Sequence, residues 1–158
     1  MRLRARVNGR PVDLEIQECE TVAELVRERL GLTGTKVSCD VQVCGACTVP
    51  IDGLPYSACT TLAYEARDHE LTTIEGVAAG PKRLHPLQQA FIDEFAFQCG
   101  FCTPGMVVAA TGLLDARPDA TEAEITRHMD GNLCRCTGYL PILRAIQRAQ
   151  RAAPRGGA

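Results

Sequence analysis

Residues 39–49 read CDVQVCGACTV, and with Cys59 they give four cysteines spaced C-x4-C-x2-C-x11-C. Thiolates at such intervals need a loop that can wrap a compact anionic centre and aim its amide N–H groups at sulfur. Gly45 and Ala46, between the second and third cysteines, suit that close backbone approach. A structural zinc site is the competing explanation, but zinc sites of this kind usually present two CxxC knuckles, and only Cys44–Cys47 forms one. The first three intervals match the loop that holds a [2Fe–2S] cluster with four thiolates.

A second group lies far downstream. Cys99 and Cys102 sit in QCGFCTPG (98–105), and Cys134 and Cys136 in GNLCRCTGYLP (131–141). Taken alone, one CxxC and a tight C-x-C leave zinc open. Both pairs precede expected helix starts, at Pro104 and near Leu140, and a helix N-terminus favours an anionic thiolate centre through its free N–H groups and partial positive charge.

Nine cysteines in 158 residues are the compositional outlier. In a reducing compartment clustered thiols bind metal more readily than they pair, and an odd number does not suit a pure disulfide framework. Cys19 alone falls outside the two groups and reads as a small buried hydrophobe or bystander thiol. The net charge of −2 and scattered Lys and Arg supply no field for nucleic acid, and 4% aromatic residues with no Trp supply no base-stacking platform. No apolar run approaches the ~20 residues of a membrane helix, so direct membrane insertion is not expected. The N-terminal MRLRARVNGRPVDLEI lacks an apolar signal core, which suggests a cytoplasmic protein unless a partner's signal exports the complex.

The chain divides into two grammars. RLRARV, Asn8-Gly9 and PVDLEI signal a hairpin, as do CTVPID, Asp52-Gly53 and LPYSACT; ELTTI is a further short strand. TVAELVRERLG begins with a capping box, Thr21 and Glu24, and ends on Gly31, with Val22, Leu25, Val26 and Leu30 on one helical face. From residue 84 on, four helical segments follow. One places Leu87, Ala90, Phe91 and Phe95 on one face, one starts at Pro104, one at the capping box of Thr121 and Glu124, and one runs from about Tyr139 to Arg151. The fold class is therefore α+β, with a β-grasp-like domain over 1–76 and a helical domain over 84–152. Glu75 to Arg83 form the boundary, and APRGGA (153–158) reads as a frayed tail. Each half alone would bury only ~60% of its extended-chain surface, so each gains from a metal centre.

Outside the cysteines the sequence offers no convincing active site. His69, His85 and His128 are isolated, Asp93 and Glu94 are expected on different sides of a helix facing solvent, and Gly34 to Lys36 lack phosphate-loop spacing.

CDVQVCGACTV, QCGFCTPG and GNLCRCTGY together resemble the small iron–sulfur subunit of the xanthine oxidase family of molybdenum hydroxylases, over about Leu3 to Arg148. The resemblance implies a plant-type ferredoxin domain and a four-helix domain. Cys39, Cys44, Cys47 and Cys59 would hold one [2Fe–2S] cluster and Cys99, Cys102, Cys134 and Cys136 the other. It implies a large partner subunit with a molybdenum–pterin cofactor, and electron transfer through the helical-domain cluster and then the ferredoxin-domain cluster to an FAD subunit, a cytochrome or another acceptor. Gln98 would hydrogen-bond the pterin and Cys136 would be the ligand nearest it. Arg135 either complements the anionic centres or makes an ordinary surface ion pair. The family often has Gly before the first ligand and two residues before the second; Ser38 and Gln42 stand there, which bears on the cluster's hydrogen bonding and potential. A free-standing two-cluster ferredoxin and a zinc-stabilised interaction module are the rival readings.

Overall fold

In the computed structural model, residues 1–78, 80 and 83–152 are described. The tail 153–158 and part of the expected boundary, residues 79, 81 and 82, lie outside them.

The two hairpins form as the turn dipeptides require. Strands β1 (Arg2–Val7) and β2 (Arg10–Glu15) pair antiparallel across Asn8 and Gly9, both with positive φ, with Val7 opposite Arg10. Strands β3 (Thr48–Ile51) and β4 (Leu54–Ser57) pair across Asp52 and Gly53, again both at positive φ, the conformation of a two-residue type I′ turn. Strand β5 (Glu70–Leu71) slots between the hairpins, parallel to β1 and antiparallel to β3, giving the order β2-β1-β5-β3-β4. Strand β1 alternates exposed and buried, as a half-covered sheet dictates. All four residues of β3 are buried, because a helix of the second half lies against the face that β1 leaves to solvent.

The segment over the sheet opens as expected, with the Thr21–Glu24 capping box formed, but departs from a regular helix after one turn. Helix α1 (Val22–Glu24) continues as a π-helical stretch over Leu25–Arg29, where Leu30 N–H donates to the Leu25 carbonyl at 3.1 Å. Val22, Leu25 and Val26 enter the core while Leu30 and Leu32 pack at its rim. A 3-10 turn, Ala63–Ala66, and helix α2 (Ile74–Val77) complete this half. Neither was expected from the sequence.

Four helices follow: α3 (Pro86–Asp93), α4 (Thr103–Ala116), α5 (Glu122–Met129) and α6 (Leu140–Ala152). The capping box of Thr121 and Glu124 forms, and His85 and Gln88 make another at the start of α3. Helix α6 buries Ile142, Ala145, Ile146 and Ala149, an i, i+3, i+4, i+7 stripe. Helix α4 buries Gly105 to Ala110 and Leu113 because it packs on α3 and α5 and also on β3 and β4. Buried apolar residues thus gather in two cores, one around Leu3, Leu25 and Leu71 and one around Phe91, Met106 and Ile146, with Ile74 and Val77 of α2 against the second.

Two expectations are corrected. Helix α3 ends at Asp93, and Phe95 takes a left-handed conformation (φ 52°) that throws its ring outward, 81% exposed; Ala96 is buried instead. Asp93 and Glu94 do not face solvent separately, since Arg148 of α6 bridges both, at 2.8 and 3.0 Å.

Candidate metal centres

The first site is built by the loop before β3 and the turn after β4. Asp40 and Gln42 both have φ near +58° (57° and 59°), and these two left-handed residues bend the loop around Cys39. The amides of Val43 and Cys44 each donate to Cys39 Sγ at 3.3 Å. With the amide of Val41, they hold the Cys39 thiol down at about 6, well into the thiolate range near neutral pH. Cys47 and Cys59 are buried behind this loop, and burial pushes the Cys47 thiol up to about 12.

The second site forms where the turn before α4 meets the loop before α6. Cys136 Sγ lies 3.6 Å from Cys99 Sγ, and the Cys134 thiol is near enough to Cys102 to raise it. Burial raises Cys102 to about 12. At Cys134 burial acts upward too, but the hydroxyl and amide of Thr137 at 3.2 and 3.5 Å outweigh it and leave that thiol below its ordinary value. The tight C-x-C places its two sulfurs in different couples.

In the second tetrad Cys99 and Cys136 meet directly, and in both tetrads neighbouring thiols shift one another: Cys59 acts on Cys47, Cys44 on Cys39, and Cys134 on Cys102. The donor set is all sulfur, backbone amides face it, and the Thr103 hydroxyl beside Cys102 is buried without a protein partner, open to an acceptor the chain does not supply. The residues present fit two [2Fe–2S] clusters.

The other singled-out residues fall as follows. Gln98 is exposed, and its side-chain amide donates to the Cys136 carbonyl at 3.0 Å. Arg135 is exposed and forms no salt bridge among the described residues. Ser38 needs no positive φ, whereas Gln42 sits in the left-handed region that favours glycine. Cys19 is exposed, so it is not the buried hydrophobe the sequence allowed. His85 caps α3, His128 Nε2 donates to the Ala109 carbonyl at 3.0 Å, and His69 pairs with Asp52. Sequence reasoning missed Asn132, buried two residues before Cys134, whose amide reaches the first site's turn. A polar residue next to a cysteine loop carries no signal of that reach.

Residues 6–93 match the 2Fe-2S iron-sulfur cluster binding domain and residues 73–147 the [2Fe-2S] binding domain. The chain is 45% identical over 143 residues to the nicotinate dehydrogenase small FeS subunit of Eubacterium barkeri, covering 90% of each. The structure superposes on a chain of quinoline 2-oxidoreductase from Pseudomonas putida 86 with a TM-score of 0.92, at 42% identity and covering 100% of this chain and 98% of that one. It also matches the aldehyde oxidoreductase of Desulfovibrio gigas at TM-score 0.91 and 40% identity, covering 95% of this chain but 17% of that longer one. With two cysteine tetrads that fit [2Fe–2S] clusters and these relatives over nearly the full length, the chain belongs to the small [2Fe–2S] subunits of the molybdenum hydroxylase family, and its role is electron transfer.

Proposed function

We propose that the chain is a β-grasp ferredoxin domain (1–76) joined to a four-helix domain (84–152) that together relay electrons between two partners. The helical-half site faces a large molybdenum–pterin subunit, and the ferredoxin-half site faces a medium FAD subunit or a cytochrome. When bound, each cluster supplies one-electron redox chemistry at four thiolates and leaves no coordination position for substrate.

The observation that carries this reading is the contrast at the second site. Cys99, Cys136 and Gln98 are exposed there, and Phe95, Phe97 and Phe101, from the segment that carries Gln98 and Cys99, are 81, 40 and 45% exposed. Exposed aromatics around a redox site are what a protein interface of stated position needs. An apolar groove of about 310 Å³ lined by Leu84, Ile92, Phe97 and Pro104 continues the same face. At the first site Val41 and Val43 stand 64 and 62% exposed on the ligand loop, a second apolar rim for the acceptor. In Desulfovibrio gigas aldehyde oxidoreductase the matching module is a small part of a longer chain, which supports a partner in permanent contact over a free carrier.

Gln98 and Cys136 form the contact toward the pterin in this reading. Nine free thiols and the absence of a helix long and apolar enough to cross a membrane, among the described residues, fit a reducing cytoplasm. The test is co-purification of the tagged chain from its own host. A red-brown complex with larger molybdenum- and flavin-containing chains, about four irons per copy of this chain and two EPR signals on reduction, is expected. A colourless zinc protein, or a coloured protein that runs alone at every step, overturns it.

A further inference from the structure

We propose that Asn132 is a positioning residue that clasps the two cysteine sites at one fixed separation, so that electrons cross between them inside this chain. The inference rests on both sites holding clusters, as proposed above.

Asn132 is 5% exposed, and it spends both hydrogens of its side-chain amide on the first site's turn. Nδ2 donates to the Gly45 carbonyl at 2.8 Å and to Thr48 Oγ1 at 3.2 Å. Gly45 lies between ligands Cys44 and Cys47, and Thr48 follows Cys47 directly. Thr48 is itself buried and donates its hydroxyl to the same Gly45 carbonyl at 2.7 Å. Next along the chain, the Leu133 amide donates to the Cys44 carbonyl at 2.8 Å. A ligand of the first site is therefore one hydrogen bond from the residue that precedes Cys134, a ligand of the second.

Steric constraint reinforces the polar one. A Cβ on Gly45 would meet the Gly131 carbonyl and Asn132 Nδ2, and a Cβ on Gly105 would meet the Gly45 carbonyl. Both backbones have closed onto each other as far as glycine permits. Behind the clasp, Tyr139 Oη accepts from the Cys134 amide at 2.9 Å and donates to the Asn132 carbonyl at 3.3 Å, so the loop carrying Asn132 is held from its own side as well. None of these groups is a metal ligand. Their placement has one shared effect, which is to remove freedom between the two seats.

The transfer this serves is a one-electron exchange in which one site is oxidised as the other is reduced. Its rate falls steeply with separation and with loss of bonded contact. A junction that breathes would slow it without altering the chemistry at either site.

The test uses the intact complex carrying Asn132→Ala, with Thr48→Val as the second variant and Thr48→Ser as the conservative control. Three readouts are needed: the two EPR signals of the reduced clusters, the spin–spin splitting between them, and hydrogen exchange of the peptide containing Leu133. In Asn132→Ala both signals should persist, the splitting should shrink or broaden, and protection at Leu133 should fall about tenfold, the equivalent of one buried hydrogen bond. Thr48→Val should show the same changes in smaller measure, and Thr48→Ser should restore both splitting and protection. If Asn132→Ala does not assemble its clusters, Thr48→Val decides alone. Unchanged splitting and protection beside two intact signals overturns the clasp. Absence of two signals in the unaltered complex overturns the cluster reading instead.

Discussion

The side-chain amide of Gln98 donates to the backbone carbonyl of Cys136 at 3.0 Å, stitching the turn that carries Cys99 and Cys102 to the loop that carries Cys134 and Cys136. The bond occupies the nitrogen of the side chain and leaves Oε1 to accept from a donor on the partner's cofactor. Gln98 thus has a tethering role within the chain beside the contact proposed for it. Because the bond is solvent-exposed, Gln98→Ala should cost no more than about 1 kcal/mol. Both clusters should assemble with unchanged iron content, while their reduction by substrate in the intact complex slows. Stopped-flow absorbance at the cluster bands measures this, and an unchanged rate would show that Gln98 is a tether alone.

Two glycines on one helix should respond differently to alanine. A Cβ on Gly105 would clash with the Gly45 carbonyl oxygen, a backbone atom pinned by Asn132 and Thr48. Gly105→Ala therefore forces α4 away from the first site's turn and should destabilise by roughly 1–3 kcal/mol. At Gly112 the same Cβ would meet only the Gly53 carbonyl, at 3.4 Å. There the gain in helix propensity, up to about 1 kcal/mol, offsets a small adjustment, so Gly112→Ala should be neutral or stabilising. Chemical denaturation of the two variants, followed by loss of cluster absorbance, distinguishes them. Equal effects would mean the junction is looser than the geometry shows.

Gln42 holds a left-handed conformation (φ 59°) in the loop that wraps the first site, and among the described residues its side chain gains a 3.3 Å hydrogen bond from the Thr60 hydroxyl. A residue with a Cβ pays roughly 1 kcal/mol there relative to glycine. Gln42→Gly should therefore raise the melting temperature of the cluster-loaded protein by a few degrees, and Gln42→Ala, which keeps the strain and loses the bond, should lower it. A drop in both would indicate that the Thr60 contact outweighs the backbone term.

Much of this architecture is legible in the sequence where a local signal exists. Asn8-Gly9 and Asp52-Gly53 mark both hairpins, Thr21 with Glu24 and Thr121 with Glu124 mark two helix starts, and cysteine spacing marks both metal-binding loops. What escaped depends on partners distant in the chain. The i, i+4 pattern of α3 carries Phe95 onto the buried face, yet the helix stops two residues earlier with no glycine to announce it. Asp93 and Glu94 read as solvent-facing because Arg148, fifty-odd positions on, is not visible to a local rule. The assignment of sulfurs to couples is a property of two loops meeting, so Cys134 and Cys136 look like neighbours in sequence and act in separate couples. Asn132 is the extreme case, since its partners Gly45 and Thr48 lie more than eighty residues upstream.

Phe95 combines two costs, a left-handed backbone and an aromatic ring 81% exposed to water. Strain and exposure at one residue are compensated elsewhere only if the ring has a use. With Phe97 and Phe101 it lies on the segment that carries the exposed Cys99, where the large subunit is proposed to dock. In such an interface a central aromatic is worth about 2 kcal/mol or more on truncation, close to a thirtyfold loss of affinity. Phe95→Ala should leave both clusters and the fold of the isolated chain intact, and should even relieve an exposed apolar patch. The same variant should co-purify with much less large subunit. Phe101→Ala should act in the same direction, whereas Tyr64→Ala, an exposed aromatic of the ferredoxin half, should not. Titration of the purified large subunit with each variant, read by size-exclusion chromatography, gives the comparison. If all three variants bind alike, the aromatic collar is not the docking face.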